Sequence, residues 1–452
     1  METFEERKPY ILYKMIFVSK PHRNPEKAFI LKTALFIVPI IFLFSSTSQA
    51  YSLLTHEAIV DVSWKSNIEP LLLKKYPQST PAELIEAHSY AYGGAIMPDI
   101  GYSPFGSMIY TDFVHNVRSG DFVVALLEEA ENLNEYAFAL GSLAHYTADN
   151  YGHMLGTNIA VPLVYPKVQA KHGNIVTYAD HKVSHSRMEL GFDVLQTARG
   201  NYASQAYHDF IGFNISRTVV EKAFYKTYGI DVNDVFGSLS VAISTFRWTI
   251  KSLLPHIVRT AWAKKKSDIK KLNPGATARN FSYRMKNKTY YHQYGKDYQK
   301  AGFFQTIVAR IVPFLPKVGP LAKLKFTTPT PEAEKLFIQS FDSTLVHYGA
   351  SITQLHTGRL YLPNRTLDTG HKTVYGEYSI ADENYGEFLL RLNKSGLEYV
   401  SKEIKDNLVL FYDAARPPLN KPLNKKDQKK WLDVSAALDL LKQSREFQPA
   451  TK

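Results

Sequence analysis

Apolar residues recur at three- and four-residue intervals through most of the chain after Tyr51, the spacing of a helix face. The pattern begins in T-H-E-A-I-V-D-V-S-W, with Thr55 expected as the cap and Ile59 and Val62 on one face. P-A-E-L-I-E-A-H-S-Y-A-Y-G-G places Pro81 in a first turn and ends on Gly93-Gly94, a stop pattern. Ala95 to Thr111 contains two prolines and two glycines and reads as loop. A helix should follow Ser119-Gly120-Asp121, and another, capped by Asn134, should run from Glu135 to Gly152. Gly156 to Gly173 looks irregular, and a further helix is expected from Asp180 through Leu195. Glu332 to Gln354 and Tyr385 to Ala414 read as long helices, separated by the loop L-P-N-R-T-L-D-T-G-H-K-T-V-Y-G-E-Y. No segment alternates convincingly in the manner of a strand, so the expected fold is all-α.

The first fifty residues have a different character. Lys27 and Lys32 precede an apolar run from Ala34 to Phe44, followed by S-S-T-S-Q-A, in which Ser48 and Ala50 have the small-residue pattern of a cleavage site. The run is short for a membrane span and contains Pro39. The expectation is an export signal cut after Ala50, so that the mature chain begins at Tyr51. The alternative is an uncleaved signal anchor, and Met15 is a second candidate start. No cysteine follows the cut, which excludes a lipoprotein anchor.

Composition narrows the chemistry further. The 452 residues are 45% hydrophobic and 21% charged, as in ordinary globular proteins. Cysteine is absent, which excludes disulfide frameworks, thiol nucleophiles and Cys-type zinc fingers. A net charge of +12 with 29 tyrosines and 26 phenylalanines suits a phosphate-bearing partner, nucleic acid or anionic lipid, as well as simple solubility.

The chemistry concentrates in L-A-H-Y-T-A-D-N-Y-G-H, where His145, Asp149 and His153 recur every fourth residue. Steps of four advance a helix by only about 40° each, so the three side chains share a face. Imidazole and carboxylate are the ligands zinc takes when sulfur is absent. His185 and Glu189, in H-S-R-M-E, repeat the spacing on another expected helix. Asp99 sits in the Gly/Pro loop as M-P-D-I, where a fixed backbone can aim a carboxylate, and His115 follows in D-F-V-H-N. His56 lies close behind the expected cut, which makes the amino group and carbonyl of Tyr51 further donors. Three carboxylates, five imidazoles and this terminal chelate are about the number that three zinc ions need if one carboxylate bridges two of them. His181, one turn before His185, is an alternative ligand, whereas His88 and His172 have no partner at useful spacing.

The order and types of these residues, from Tyr51 to about Leu195, resemble the zinc-dependent phospholipase C superfamily, which includes single-strand-specific nucleases. The nearest local likeness is to the catalytic domain of glycosylphosphatidylinositol phospholipase D. The resemblance implies an all-helical fold around up to three Zn2+. It implies one zinc on Asp99, His115, His145 and Asp149, a second on His153, His185 and Glu189, and a third on Tyr51, His56 and a bridging Asp149. Two departures stand out: tyrosine replaces the usual N-terminal tryptophan, and Asp149 is four residues from His153 where bacterial and fungal members have six. The shorter spacing resembles the phospholipase D branch.

The implied reaction is metal-assisted phosphodiester hydrolysis, with Asp99 as the catalytic carboxylate that orients or deprotonates water. No Ser-His-Asp set or phosphate-cradling glycine loop competes for the role. The expected organisation is a leader over 1–50, a catalytic domain over 51–255 and a helical, basic region over 256–452. Within the last, Phe303, Phe304, Ile307, Val308, Ile311 and Val312 form a helical stripe in the Ala301–Phe326 segment, a candidate peripheral membrane contact or a core helix. The Tyr-rich basic stretch from Ser282 to Tyr298 would instead suit nucleic acid. Phospholipid is the favoured substrate, the alternatives are a single-strand nuclease-like phosphodiesterase or a zinc-binding protein lacking catalysis, and no obligate protein partner is indicated.

Overall fold

The computed structural model describes residues 53–199, 201–202, 213–250, 327–413 and 425–445, with scattered positions between 262 and 277. The leader, Tyr51, the Ser282–Tyr298 stretch and the Ala301–Phe326 segment lie outside the described residues. In chain order the helices are α1 (Leu53–Ser63), α2 (Glu69–Lys75), α3 (Pro81–Ile96), α4 (Met108–Asn116), α5 (Ser119–Glu129) and α6 (Leu133–Gly152). There follow α7 (Asn158–Val164), α8 (Pro166–His172), α9 (Tyr178–Arg199), α10 (Arg217–Tyr228) and α11 (Leu239–Trp248). The later part adds α12 (Pro331–His356), α13 (Ser379–Lys394), α14 (Lys402–Asp413) and α15 (Lys425–Gln443). Short 3-10 and π turns join several of them, notably Met97–Tyr102 and His153–Thr157. The described fold is all-α: a lone backbone bridge between Arg365 and Lys372 is the only extended pairing among the described residues. No described helix is long and apolar enough to cross a membrane.

The centre of the fold is α6, buried along nearly its whole length. Asn132, outside the helix, caps it by accepting the Glu135 N–H at 3.0 Å; Asn134, the expected cap, is already inside. α3 lies directly on α6, and the contact is made by backbone. A methyl group at Gly94 would fall 1.9 Å from the Phe138 carbonyl oxygen, and one at Gly141 would fall 1.9 Å from that of Ala91. Glycine inside a helix costs about 1 kcal/mol relative to alanine. Here that loss is the condition for two helices to touch at van der Waals distance. Gly93-Gly94 is therefore a packing seam, and α3 runs on to Ile96. Its other end is firmly set by a capping box, with the Glu83 carboxylate accepting the Thr80 N–H at 2.7 Å and the Thr80 hydroxyl accepting the Glu83 N–H at 3.3 Å.

Other expectations change for similar reasons. α1 starts at Leu53, so Thr55 is not a cap; it is buried and its hydroxyl donates to Asp193 at 2.7 Å. Ile59 is buried while Val62 is 56% exposed, so the two do not share the core face. The Ala95–Thr111 stretch is mostly helical, as a 3-10 turn and the start of α4, and Gly156–Gly173 carries α7 and α8. The expected Tyr385–Ala414 helix is two helices, broken where Gly396 and Leu397 take positive φ.

The later helices join the same core as the earlier ones. α12 packs along α6, and the Tyr348 hydroxyl donates to the Leu140 carbonyl at 3.0 Å. Tyr385, Phe388 and Leu392 of α13 belong to the hydrophobic cluster that also holds Phe113, Phe138 and Tyr228. Burying each such large side chain contributes about 1.5–3 kcal/mol. The connection between α12 and α13 runs inward, and its Asn364 and Arg365 bond to Gly120 and Ser119 at the start of α5.

Candidate metal centre

Because α6 and α3 touch through backbone, the last carbonyls of α3 reach the side chains of α6. His145 Nδ1–H donates to the Ala95 carbonyl at 2.8 Å, which turns Nε2 inward. In the same way, His115 Nδ1–H donates back to Thr111 within α4 at 2.7 Å. The 3-10 turn carrying Asp99 is fixed on α4 by the Thr111 hydroxyl, which donates to Pro98 and accepts the Gly101 N–H. Asp149 stands at the middle of the result. Its Oδ2 lies 3.1 Å from His145 Nε2 and 3.2 Å from His115 Nε2, and its Oδ1 lies 3.4 Å from His56 and 3.6 Å from His153. Asp99 is 3.5 Å from His115 and 3.9 Å from His56.

A second group begins where α6 ends. His153 opens the π turn, and its ring stacks on that of His185 from α9, centroids 4.9 Å apart. His185 Nδ1 is 2.8 Å from the Glu189 carboxylate one turn along. His181, in contrast, has non-helical backbone and its Nδ1 accepts the Ser184 N–H at 3.2 Å, so it serves as a cap within α9. His88 packs flat on Trp64, rings 3.9 Å apart, beside Asp61.

Three sets of ligand atoms fall within 4.8 Å of one another: His56, His145 and Asp149; Asp99, His115 and His145; and His153, His185 and Glu189. Every described residue expected as a ligand belongs to one of them. Both carboxylate oxygens of Asp99, Asp149 and Glu189 are buried without a hydrogen bond of sound geometry. Leaving buried carboxylates so poorly compensated costs several kcal/mol each. A cation of zinc's kind would supply the missing compensation, and nitrogen and oxygen donors at these separations fit it.

The electrostatics agree. Burial, followed by the neighbouring His145, holds the His56 ring well below the usual histidine range. Burial also raises Asp99 and Glu189 above the usual carboxylate range, in spite of their histidines. Burial pushes Asp149 the same way, but the surrounding imidazoles win and hold it well below. Burial resists a proton on His115, yet the carboxylates of Asp149 and Asp99 beside it push it up to about 10. Protons and a divalent cation thus compete for the same ring nitrogens.

Residues 55–237 match the family model described as zinc dependent phospholipase C. This stretch belongs to that family. No curated protein and no solved structure matches the chain. The zinc-dependent phospholipase C segment contains His56, Asp99, His115, His145, Asp149, His153, His185 and Glu189.

One buried carboxylate in contact with the centre lies outside that segment. Asp368, in the connection between α12 and α13, accepts from His153 Nδ1 at 3.0 Å and lies 3.3 Å from His185 Nε2. Its other oxygen accepts the Tyr378 hydroxyl at 2.7 Å and the Tyr178 N–H at 2.9 Å. Burial would raise this carboxyl, but the hydrogen bonds from His153 and His185 hold it far below the usual range. Asn158 completes the contact by donating to the Asp368 carbonyl and accepting from His185, each at 2.7 Å. Sequence spacing does not reveal Asp368. The usable clue is its setting, a Pro/Gly-bounded loop like the one that pointed to Asp99. The mouth of the centre is lined by Tyr102, Asp112, Asn116, Tyr178, Tyr378 and Ile380.

Proposed function

We propose that this chain is a zinc-dependent phosphodiester hydrolase of the phospholipase C kind, acting on phospholipids after export and cleavage near Ala50. The observation that carries the reading is Asp149, a buried carboxylate within 3.6 Å of four imidazoles contributed by α1, α4, α6 and the π turn. His56, Asp99, His115, His145 and Asp149 would hold zinc on one side, and His153, His185 and Glu189 on the other. Tyr51 would add the terminal chelate, for up to three ions. Zinc held there would supply Lewis acidity toward water and toward the phosphate charge.

The chain's own residues set the geometry for this chemistry. Asp99, buried and raised by burial, is suited to take the proton of an attacking water and hold it at a carboxylate oxygen. The Ala95 carbonyl keeps His145 Nε2 turned inward, and the Thr111 carbonyl does the same for His115. Tyr102 and Tyr178 at the mouth offer ring faces to a headgroup, while the closed helical wall behind Asp149 keeps bulk water from the reacting phosphorus.

The test is hydrolysis of phosphatidylcholine vesicles and of single-stranded DNA by the full chain, with and without chelator. Chelator-sensitive release of phosphorylated headgroup from the vesicles is the expected result. Cleavage of DNA alone would move the substrate to nucleic acid. Cleavage of neither by zinc-loaded protein would sink the hydrolase reading.

A further inference from the structure

We infer that Asp368 is the positioning residue of the second metal position, so that the loop between α12 and α13 is a working part of the centre. The inference rests on the zinc reading above and extends it beyond the matched segment. A neutral imidazole has one N–H and one lone pair, and the partner of the N–H decides which nitrogen is offered to a metal. His153 gives its Nδ1–H to Asp368 Oδ1 at 3.0 Å, and this turns Nε2 toward Asp149. His185 directs Nε2–H outward, to Asn158 Oδ1 at 2.7 Å and Asp368 Oδ1 at 3.3 Å, and this turns Nδ1 toward Glu189. Asp368 thus selects the nitrogen of His153 and, together with Asn158, the opposite nitrogen of His185, on two rings that stack on each other.

Asp368 is itself held so that it cannot follow the rings if they rotate. Its second oxygen is taken by the Tyr378 hydroxyl and the Tyr178 N–H, and its carbonyl by Asn158 Nδ2. Three of its supports, Tyr178, Asn158 and His185, come from the family segment, and Tyr378 comes from the C-terminal region. The loop is anchored at its other end as well, where the Asn364 side-chain oxygen accepts the N–H groups of Gly120 and Asp121.

The experiment compares full-length wild type, Asp368→Asn and Asp368→Ala by zinc competition against a chromogenic chelator, by the visible spectrum of the cobalt(II)-loaded protein, and by metal-free thermal unfolding. The alanine variant should weaken one class of zinc position by roughly 10–100-fold and alter the cobalt spectrum, with the remaining positions unchanged. Asparagine, which keeps the acceptor oxygen without the charge, should fall between alanine and wild type. Identical affinities and spectra in all three proteins would overturn the inference. So would equal weakening of every position together with a lower metal-free melting temperature, the mark of a merely structural residue. If alanine prevents folding, the asparagine variant decides by the same readouts. Wild-type protein that binds no zinc would instead sink the reading on which the inference rests.

Discussion

Around Asp149 the helix that carries it meets α3 backbone to backbone, with Gly94 against Phe138 and Gly141 against Ala91, and the Ala95 carbonyl at the end of that seam aims His145. Around His153 and His185 side chains make the connection instead, from Asp368 of a distant loop and Asn158 of α7. The first arrangement is rigid and all-or-none, since no rotamer change can relieve a methyl group placed on a carbonyl oxygen. The second can be weakened one hydrogen bond at a time. A single metal centre thus joins a half that is fixed by the fold with a half that is adjustable from outside the family segment.

Filling the α3–α6 seam should have the largest effect. Gly141→Ala would ordinarily favour a helix by about 1 kcal/mol, but here it should destabilise by about 3 kcal/mol or more because backbone must move. Urea denaturation measures this, and a stability at or above wild type would remove the rigid half of the comparison. Next in size is the shared carboxylate. Asp149→Asn should lower activity further than His185→Ala, beyond the roughly 10–100-fold typical of outer partners, because it touches ligands of more than one position. Equal residual activities with equal zinc content would show that Asp149 does not link the halves. Tyr378→Phe removes one donor from Asp368 and leaves the Tyr178 N–H in place. The loss should be about 1 kcal/mol, roughly fivefold in zinc affinity at the adjustable half alone. A similar loss at the other positions would mean that the halves are not separable.

The smallest effect concerns the anchoring of that outer loop. Asp382, half-buried at the start of α13, accepts the Gly376 N–H at 2.9 Å, and burial pushes its carboxyl up to about 6. A carboxyl raised on folding is penalised above its folded value, and the penalty is relieved as pH falls through about 6 toward the unfolded value near 4. Full conversion of the shift gives about 3 kcal/mol, which solvent screening at a half-buried site reduces to about 1 kcal/mol. Asp382→Asn should therefore be more stable than wild type by about that amount at pH 7.5, and the advantage should vanish near pH 4. Thermal unfolding across this range checks both the size and the sign.

What could be read from the chain alone follows the same division. His145, Asp149 and His153, and separately His185 and Glu189, were legible because covalent spacing on one helix determines the face they share. Gly93-Gly94 was misread because glycine marks a helix end and a helix contact with the same letter, and only the partner distinguishes them. The cap of α6 was displaced by two residues because Asn132 and Asn134 are equally good acceptors locally, and tertiary packing of Leu133 decides between them. Asp368 was not legible at all. It meets His153 through space, across more than two hundred residues, with no periodicity connecting them.

The π turn at His153–Thr157 has a consequence for chain length. Five residues of α-helix rotate by about 500°, which would set His153 and Asn158 about 140° apart. The Asn158 N–H reaches back to the His153 carbonyl, closing one wide turn over those five residues, so both side chains face Asp368. The turn acts as a one-residue spacer in the reading of the helix. Deleting a single position between 154 and 157 would keep every candidate ligand in the sequence, and a motif search would still find them. It would also leave Asn158 four steps from His153, about 40° round a regular helix, so the two side chains would still share a face; the same deletion earlier in α6, where the helix is regular, would turn the side chains on either side of it apart.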